Sequence, residues 1–233
     1  SLEMSSLQLI TRLISSETGL NSEKLRTGKL EKHEWEQLNV RVKNLEKAPL
    51  YIDDSPSLSI FDLRAKARRL VSQRDVKLII VDYLQLMTAG SDNRGSREQE
   101  VSQISRSLKA IAKELDLPII ALSQLNRSVE SREGKRPQLS DLRESGAIEQ
   151  DSDIVIFIHR PEYYGITEDD NQNSLLGVAE LIIAKHRNGP TGDVHLSFKK
   201  ELAKFLDMEI RSDDGFGVPG QTFSSKMNED EDQ

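Results

Sequence analysis

The sequence predicts an α/β fold: a mostly parallel sheet covered by helices on both faces and closed by an antiparallel hairpin near the C-terminus. Three observations carry that expectation. Short, almost wholly apolar runs recur along the chain, amphipathic helical patterns separate the earlier ones, and after residue 187 turn residues lead into alternating segments. A strand buried on both faces reads as a continuous apolar run, which is the mark of a parallel sheet between helices.

Taken in order, the first strand candidate is PLYIDD at 49–54, followed by the helical pattern SIFDLRAKARRLVSQRD at 59–75. KLIIVD at 77–82 is the second strand; Ile79, Ile80 and Val81 are β-branched, which suits an extended backbone. REQEVSQISRSLKAIAKELD at 97–116 places Ile104, Leu108, Ile111, Ala112 and Leu115 at helical spacing on one face. Three more strands follow, LPIIALS at 117–123, SDIVIFIHR at 152–160 and GVAELIIAKHR at 177–187. EYYGITEDDNQNSLLG at 162–177 is polar and predicts a mobile surface loop. In RNGPTGDVHLSFKKELAKFLDMEI at 187–210, Asn-Gly and Pro-Thr-Gly turn signals precede two alternating segments, the pattern of a hairpin.

Composition bounds the function. With 233 residues, 36% of them apolar, the chain suits one large domain or two small ones. The absence of cysteine excludes disulfides and thiolate metal sites. No apolar run is long enough to span a bilayer and no secretory signal opens the chain, so the expectation is a cytoplasmic protein without a membrane partner. The net charge of −7 excludes a uniformly basic coat for nucleic acid, but part of it sits in the Gly/Ser-rich, acidic end, read as a disordered tail over 211–233. The body, 1–210, is closer to neutral and leaves room for local basic sites.

Ligands of an open parallel sheet bind where strands end. Asp82 lies at such an end, and a carboxylate there suits Mg²⁺ bound to phosphates, because a hard cation wants oxygen ligands; the competing role is an ordinary turn residue. The strand at 117–123 also ends in polar residues, Ser123 and Gln124, on the same rim, where a neutral amide can sense a terminal phosphate or simply bond its own loop. Glu3, in SLEM at the chain start, could take a proton from an attacking water if it lies near that rim, or merely begin a helix. Lys185 and Arg187 alternate at a strand end in IAKHRNGPTG and so share a face, from which they would meet solvent or a neighbour's phosphate.

These segments, SLEMS, IIVDYLQLM, ALSQLNR, DLRESGAIEQDSD and AKHRNGPTG in this order, resemble the C-terminal ATPase domain of the hexameric replicative DNA helicases of the DnaB type, from Ser1 to about Ile210. The resemblance implies a RecA-like core, ATP and Mg²⁺ as cofactors, single-stranded DNA as substrate, and a homo-hexameric ring. A primase and a helicase loader are the further partners it implies. By it Glu3 corresponds to the catalytic base, Asp82 to the Walker B carboxylate that holds the metal, and Gln124 to the γ-phosphate sensor. Lys185 and Arg187 correspond to a cationic finger pair offered to the adjacent subunit's nucleotide. Arg143, Glu144 and Gly146, in RPQLSDLRESGAIEQDSD at 136–153, fall on positions that hold the DNA backbone, together with the loop after Asp82. Such contacts grip without reading bases, as a translocating motor requires.

One motif departs from the family. No G-x-x-x-x-G-K-[ST] loop occurs; the Gly-Lys pairs at Gly28 and Gly134 continue into Leu30 and Arg136 and lack the earlier glycine. The expectation is therefore a helicase ATPase domain over 1–210 lacking its phosphate-loop portion. Two functions stay open: part of an ATP-dependent replicative helicase whose isolated fragment is inactive, or an ATP-independent DNA-binding or assembly fragment. A recombinase- or clock-type ATPase is a third, which DLRESGAIEQDSD disfavours.

Overall fold

The computed structural model describes residues 1–90 and 96–208, with the side chains of 143–146 excepted. Three helices come first: α1 (Ser6–Thr18), α2 (Ser22–Thr27) and α3 (Lys32–Lys47). A capping box formed by Ser5 and Gln8 starts α1, and Gly19, in the left-handed region at φ 73°, ends it. The Gln37 amide donates to the Thr18 carbonyl at 2.6 Å and Lys24 pairs with Glu34 at 2.7 Å, tying α3 to the first two helices.

The next unit is α4 (Ile60–Arg74), β1 (Ile79–Val81), a 3₁₀ turn over Leu84–Leu86, α5 (Arg97–Leu115) and β2 (Ile119–Ala121). β1 and β2 are parallel, with Ile79 opposite Ile119 and Val81 opposite Ala121. The helical face read from sequence is the buried one: Ile104, Leu108 and Ile111 of α5 meet Leu63 of α4, Val81 and Leu84 in the main core. The parallel sheet, its helices and their order along the chain are thus as expected.

Three details differ from the reading of the sequence. Residues 49–54 form no strand. Asp53 accepts from Lys66 and the Ser55 backbone and hydroxyl, and Asp54 accepts from Ser6 N at 2.7 Å, so the segment is held by side-chain ties rather than a ladder. The second difference is strand direction beyond residue 153. β3 (Ile154–His159), β4 (Val178–His186), β5 (Gly192–Lys199) and β6 (Lys204–Asp207) make an antiparallel sheet in that order. A parallel return from β3 to β4 would need a crossover, usually a helix. The connection instead holds a 3₁₀ turn at Pro161–Tyr164 and a loop in which Asp169 accepts from Asn171 N, Asn173 N and Asn173 Nδ2. That loop, expected to be mobile, is tied by these bonds and by Gly177 N donating to Glu162.

The third difference concerns cover. Among the described residues, helices pack on one face of β1 and β2, while Ile80 (58% exposed) and Ile120 (49%) show the other face to solvent. β3 behaves alike: Val155 and Phe157 join Leu142 and Ile182 in a second core, and Ile154, Ile156 and Ile158 point outward. The predicted tail at 211–233 lies outside the described residues. The expected β4–β5 turn is present, and Gly189 serves it by close approach, since a Cβ there would collide with the His186 ring.

Candidate nucleotide-facing rim

Asp82 and Gln124 follow the C-terminal ends of paired parallel strands, so the register of β1 with β2 places them on one rim. Beyond the last ladder pair the chains stay joined, with Leu122 N donating to Val81 O and Leu84 N to Leu122 O, each at 2.9 Å. Asp82 is half-buried, and the peptide bond after it is cis. Its Oδ2 accepts from the Ser1 hydroxyl at 2.8 Å, while Leu2 N donates to its carbonyl at 2.7 Å. Met4 N closes the turn onto Ser1 Oγ at 3.1 Å. With Leu2 packed on the main core, the chain start is fixed against Asp82 and its neighbour Glu3 is left exposed. Ser1 was not singled out from sequence; its signal is that it opens the same SLEM segment.

Gln124 is exposed, and its side-chain amide makes no hydrogen bond among the described residues, which leaves it available to a ligand. Its main chain is held by Gln85, another residue that motif reading passed over. The Gln85 Oε1 accepts from Gln124 N at 3.1 Å, and Nε2 donates to Gln124 O at 3.1 Å and to Ser123 Oγ at 2.9 Å.

Lys185 and Arg187 lie elsewhere, at the corner between α6 (Gly146–Asp151) and β3. The Lys185 ammonium donates to the Glu149 carbonyl at 2.5 Å and the Ser152 carbonyl at 2.9 Å, where unsatisfied carbonyls at a helix end attract a cation. Arg187 is exposed, donates to Gln150 O at 3.4 Å and pairs with Asp153 at 3.3 Å. Asp153 also takes a bond from Lys109, and the two cations hold its carboxyl below the usual carboxylate range, Lys109 foremost. Within one chain neither Lys185 nor Arg187 bonds to Asp82, Glu3 or Gln124 among the described residues.

Arg143, Glu144 and Gly146, expected on DNA, fall within 143–146, whose surroundings lie outside what is described. Their flank is well fixed. Asp141 is 3% exposed; Arg132 donates to both its oxygens at 2.8 and 3.0 Å, and Gln138 N donates at 2.7 Å. The Arg132 guanidinium holds the Asp141 carboxyl below its ordinary range against the opposing effect of burial. A cleft of about 380 Å³ runs between the rim and this flank, lined by Gln85, Arg97, Gln124, Leu125, Asp141 and Leu142.

The residues fit the metal and phosphate end of a nucleotide site. A half-buried carboxylate beside a hydroxyl offers hard oxygen ligands for Mg²⁺, which keeps waters and phosphate oxygens in its shell and needs no cage of protein ligands. No cluster of three metal-ligating side chains occurs among the described residues, as such a site allows. A phosphate cradle is a different matter. Gly28 caps the end of α2 and Gly134 sits inside a 3₁₀ turn, and neither joins a strand to a helix.

Comparison with known proteins bears on this arrangement. The family model described as the DnaB-like helicase C terminal domain matches residues 1–207. The chain is 50% identical over 220 residues to the replicative DNA helicase DnaB of Geobacillus stearothermophilus, covering 94% of this chain and 47% of the relative. It is 48% identical over 219 residues to the replicative DNA helicase DnaC of Bacillus subtilis (strain 168), with coverage of 94% and 47%. It therefore spans about half the length of the curated relatives it matches. Among solved structures, one described as an ATPase domain superposes with a TM-score of 0.80 at 39% identity, covering 90% of this chain and 73% of that one. A DnaB-like replicative helicase described with its interactions with primase gives the same score and identity, covering 89% and 49%.

Proposed function

Because this chain belongs to the DnaB-like helicase C-terminal domain family, we propose that it is part of an ATP-dependent replicative helicase that moves along single-stranded DNA as a homo-hexameric ring. The observation that supports this reading is the Ser1 hydroxyl on the Asp82 carboxylate, which ties the segment that carries Glu3 to the residue that would ligate Mg²⁺. In this reading Asp82 supplies a metal ligand, and Glu3 accepts a proton from the water that attacks the terminal phosphate. Gln124 offers its amide to that phosphate. Lys185 and Arg187 exchange their carbonyl and carboxylate partners for the adjacent subunit's nucleotide. When bound, magnesium neutralises charge on the terminal phosphates during transfer. Arg143, Glu144 and Gly146 take the DNA backbone. A cytoplasmic location and a primase partner go with the reading; no helix among the described residues is long and apolar enough to cross a membrane.

In the complete protein, Arg187→Ala is expected to lose most ATPase activity while still binding nucleotide, because only transition-state stabilisation is removed. Rings that mix Arg187→Ala with Glu3→Gln subunits should regain turnover, since an intact Glu3 then faces an intact Arg187 across a boundary. Mixed rings that stay inactive at every ratio would rule out a shared site. The missing phosphate loop favours a second reading for the isolated chain, an ATP-independent DNA-binding or assembly fragment.

A further inference from the structure

We infer that Gln85 is a positioning residue: its side chain sets Gln124 against Asp82. This rests on the reading of Gln124 as the residue that meets the terminal phosphate. The ladder between β1 and β2 ends at Val81 and Ala121, before either functional residue is reached. Past that point the two backbone bonds through Leu122 still join the chains, but neither reaches Gln124, two residues further on. Gln85 takes over the role of a strand residue with its side chain. Its carbonyl oxygen accepts from Gln124 N and its amide nitrogen donates to Gln124 O, as an opposite residue does in a hydrogen-bonded antiparallel pair. The third bond, to Ser123 Oγ, holds the residue before it.

Gln85 is itself anchored. It belongs to the 3₁₀ turn that begins two residues after Asp82, and neighbouring Leu84 is buried in the main core. Arg97, at the start of α5, donates to the Gln85 carbonyl at 2.6 Å and to the Met87 carbonyl at 3.1 Å. A short, core-anchored turn thus holds Gln124 through two hydrogen bonds and Ser123 through a third, and leaves the Gln124 side-chain amide free of protein partners among the described residues. An amide is needed because the task calls for an acceptor and a donor side by side, and Glu, Met or Leu lacks one or both.

The test is a double-variant cycle in the complete helicase. Gln85→Met keeps length and packing while removing all three bonds, and circular dichroism and DNA affinity check that fold and ring persist. Misplacement of a group that meets the reacting phosphate is costly, so kcat should fall about tenfold with KM for ATP changed less than about twofold. If Gln85 acts through Gln124, the pair Gln85→Met with Gln124→Ala should be no slower than Gln124→Ala alone. Losses that multiply, or a Gln85→Met enzyme at full rate when Gln124→Ala is slow, would overturn the inference and leave the role of Gln124 standing. A Gln124→Ala enzyme at full rate would overturn the role of Gln124 itself, and the inference with it.

Discussion

Asp141 carries its charge almost out of contact with water, and three hydrogen bonds make that tenable. Removing an acceptor that takes charged hydrogen bonds costs about 2 kcal/mol, so Asp141→Ala should lower the urea midpoint clearly, and it should also weaken single-stranded DNA binding by loosening the segment that carries Arg143. Its pH dependence has a definite sign. The folded carboxyl is held below its ordinary value by Arg132, so its contribution is complete above about pH 4 and is lost as pH falls through the lowered folded value. Stability curves of the native chain and Asp141→Asn should therefore converge at the acid end; curves that stay parallel down to about pH 2 would show that this pair does not set the dependence. At this scale the sequence was legible where a motif names a residue. Asp82 and Gln124 stand on the rim that strand ends imply. Gln85 and Ser1 were illegible because their role is to hold another residue, and partnership across 39 or 81 positions leaves no mark in local spacing.

At the scale of elements, β3 shows what the apolar-run signal does and does not contain. IVIFIH reads as a strand buried on both faces, and in the described residues only alternate side chains are. The signal reports hydrophobicity, not cover, and Ile154, Ile156 and Ile158 form an open apolar face among the described residues. Neighbouring positions should respond oppositely. In the isolated chain, Ile156→Lys, at a site 52% exposed, should reduce self-association in sedimentation velocity with little change in stability. Phe157→Ala, at 4% exposed, should cost about 3 kcal/mol in urea unfolding. Equal effects would mean that both faces are buried in solution. Direction was the harder feature to read. The apolar runs at 152–160 and 177–187 look the same whether parallel or antiparallel, and only the absence of a helical period between them, in 162–177, carried the answer. The segment at 49–54 failed for a different reason: Asp53 and Asp54 are bound elsewhere, and Lys66 with Ser55 draws the Asp53 pKa down to about 2.

For the whole molecule, the family resemblance and its missing motif point in different directions, and they apply to different objects. Nucleotide affinity in phosphate-loop enzymes comes largely from backbone N–H groups and a lysine that cradle the phosphates, with a Ser or Thr placing the metal. A lone Asp82 beside Ser1 holds Mg²⁺ poorly without them. The isolated 233-residue chain is therefore expected neither to bind ATP measurably at micromolar concentration nor to hydrolyse it. Calorimetric titration with ATP and Mg²⁺ checks this, and saturable one-to-one binding would show that another part of the chain takes the place of the loop. The two cores also have a consequence for how the chain folds. β3 to β6 follow one another along the sequence and pair with immediate neighbours, so β4, β5 and β6 close over short connections and β3 joins them over residues 160–177 to complete the core around Phe157 and Ile182. β1 meets β2 only after the 19 residues of α5 have been laid across them. Closing a longer segment costs more chain entropy before any contact repays it. In refolding, the sheet that carries Lys185 can thus form from more local information than the rim that holds Asp82 and Gln124, although the rim's residues come first along the chain.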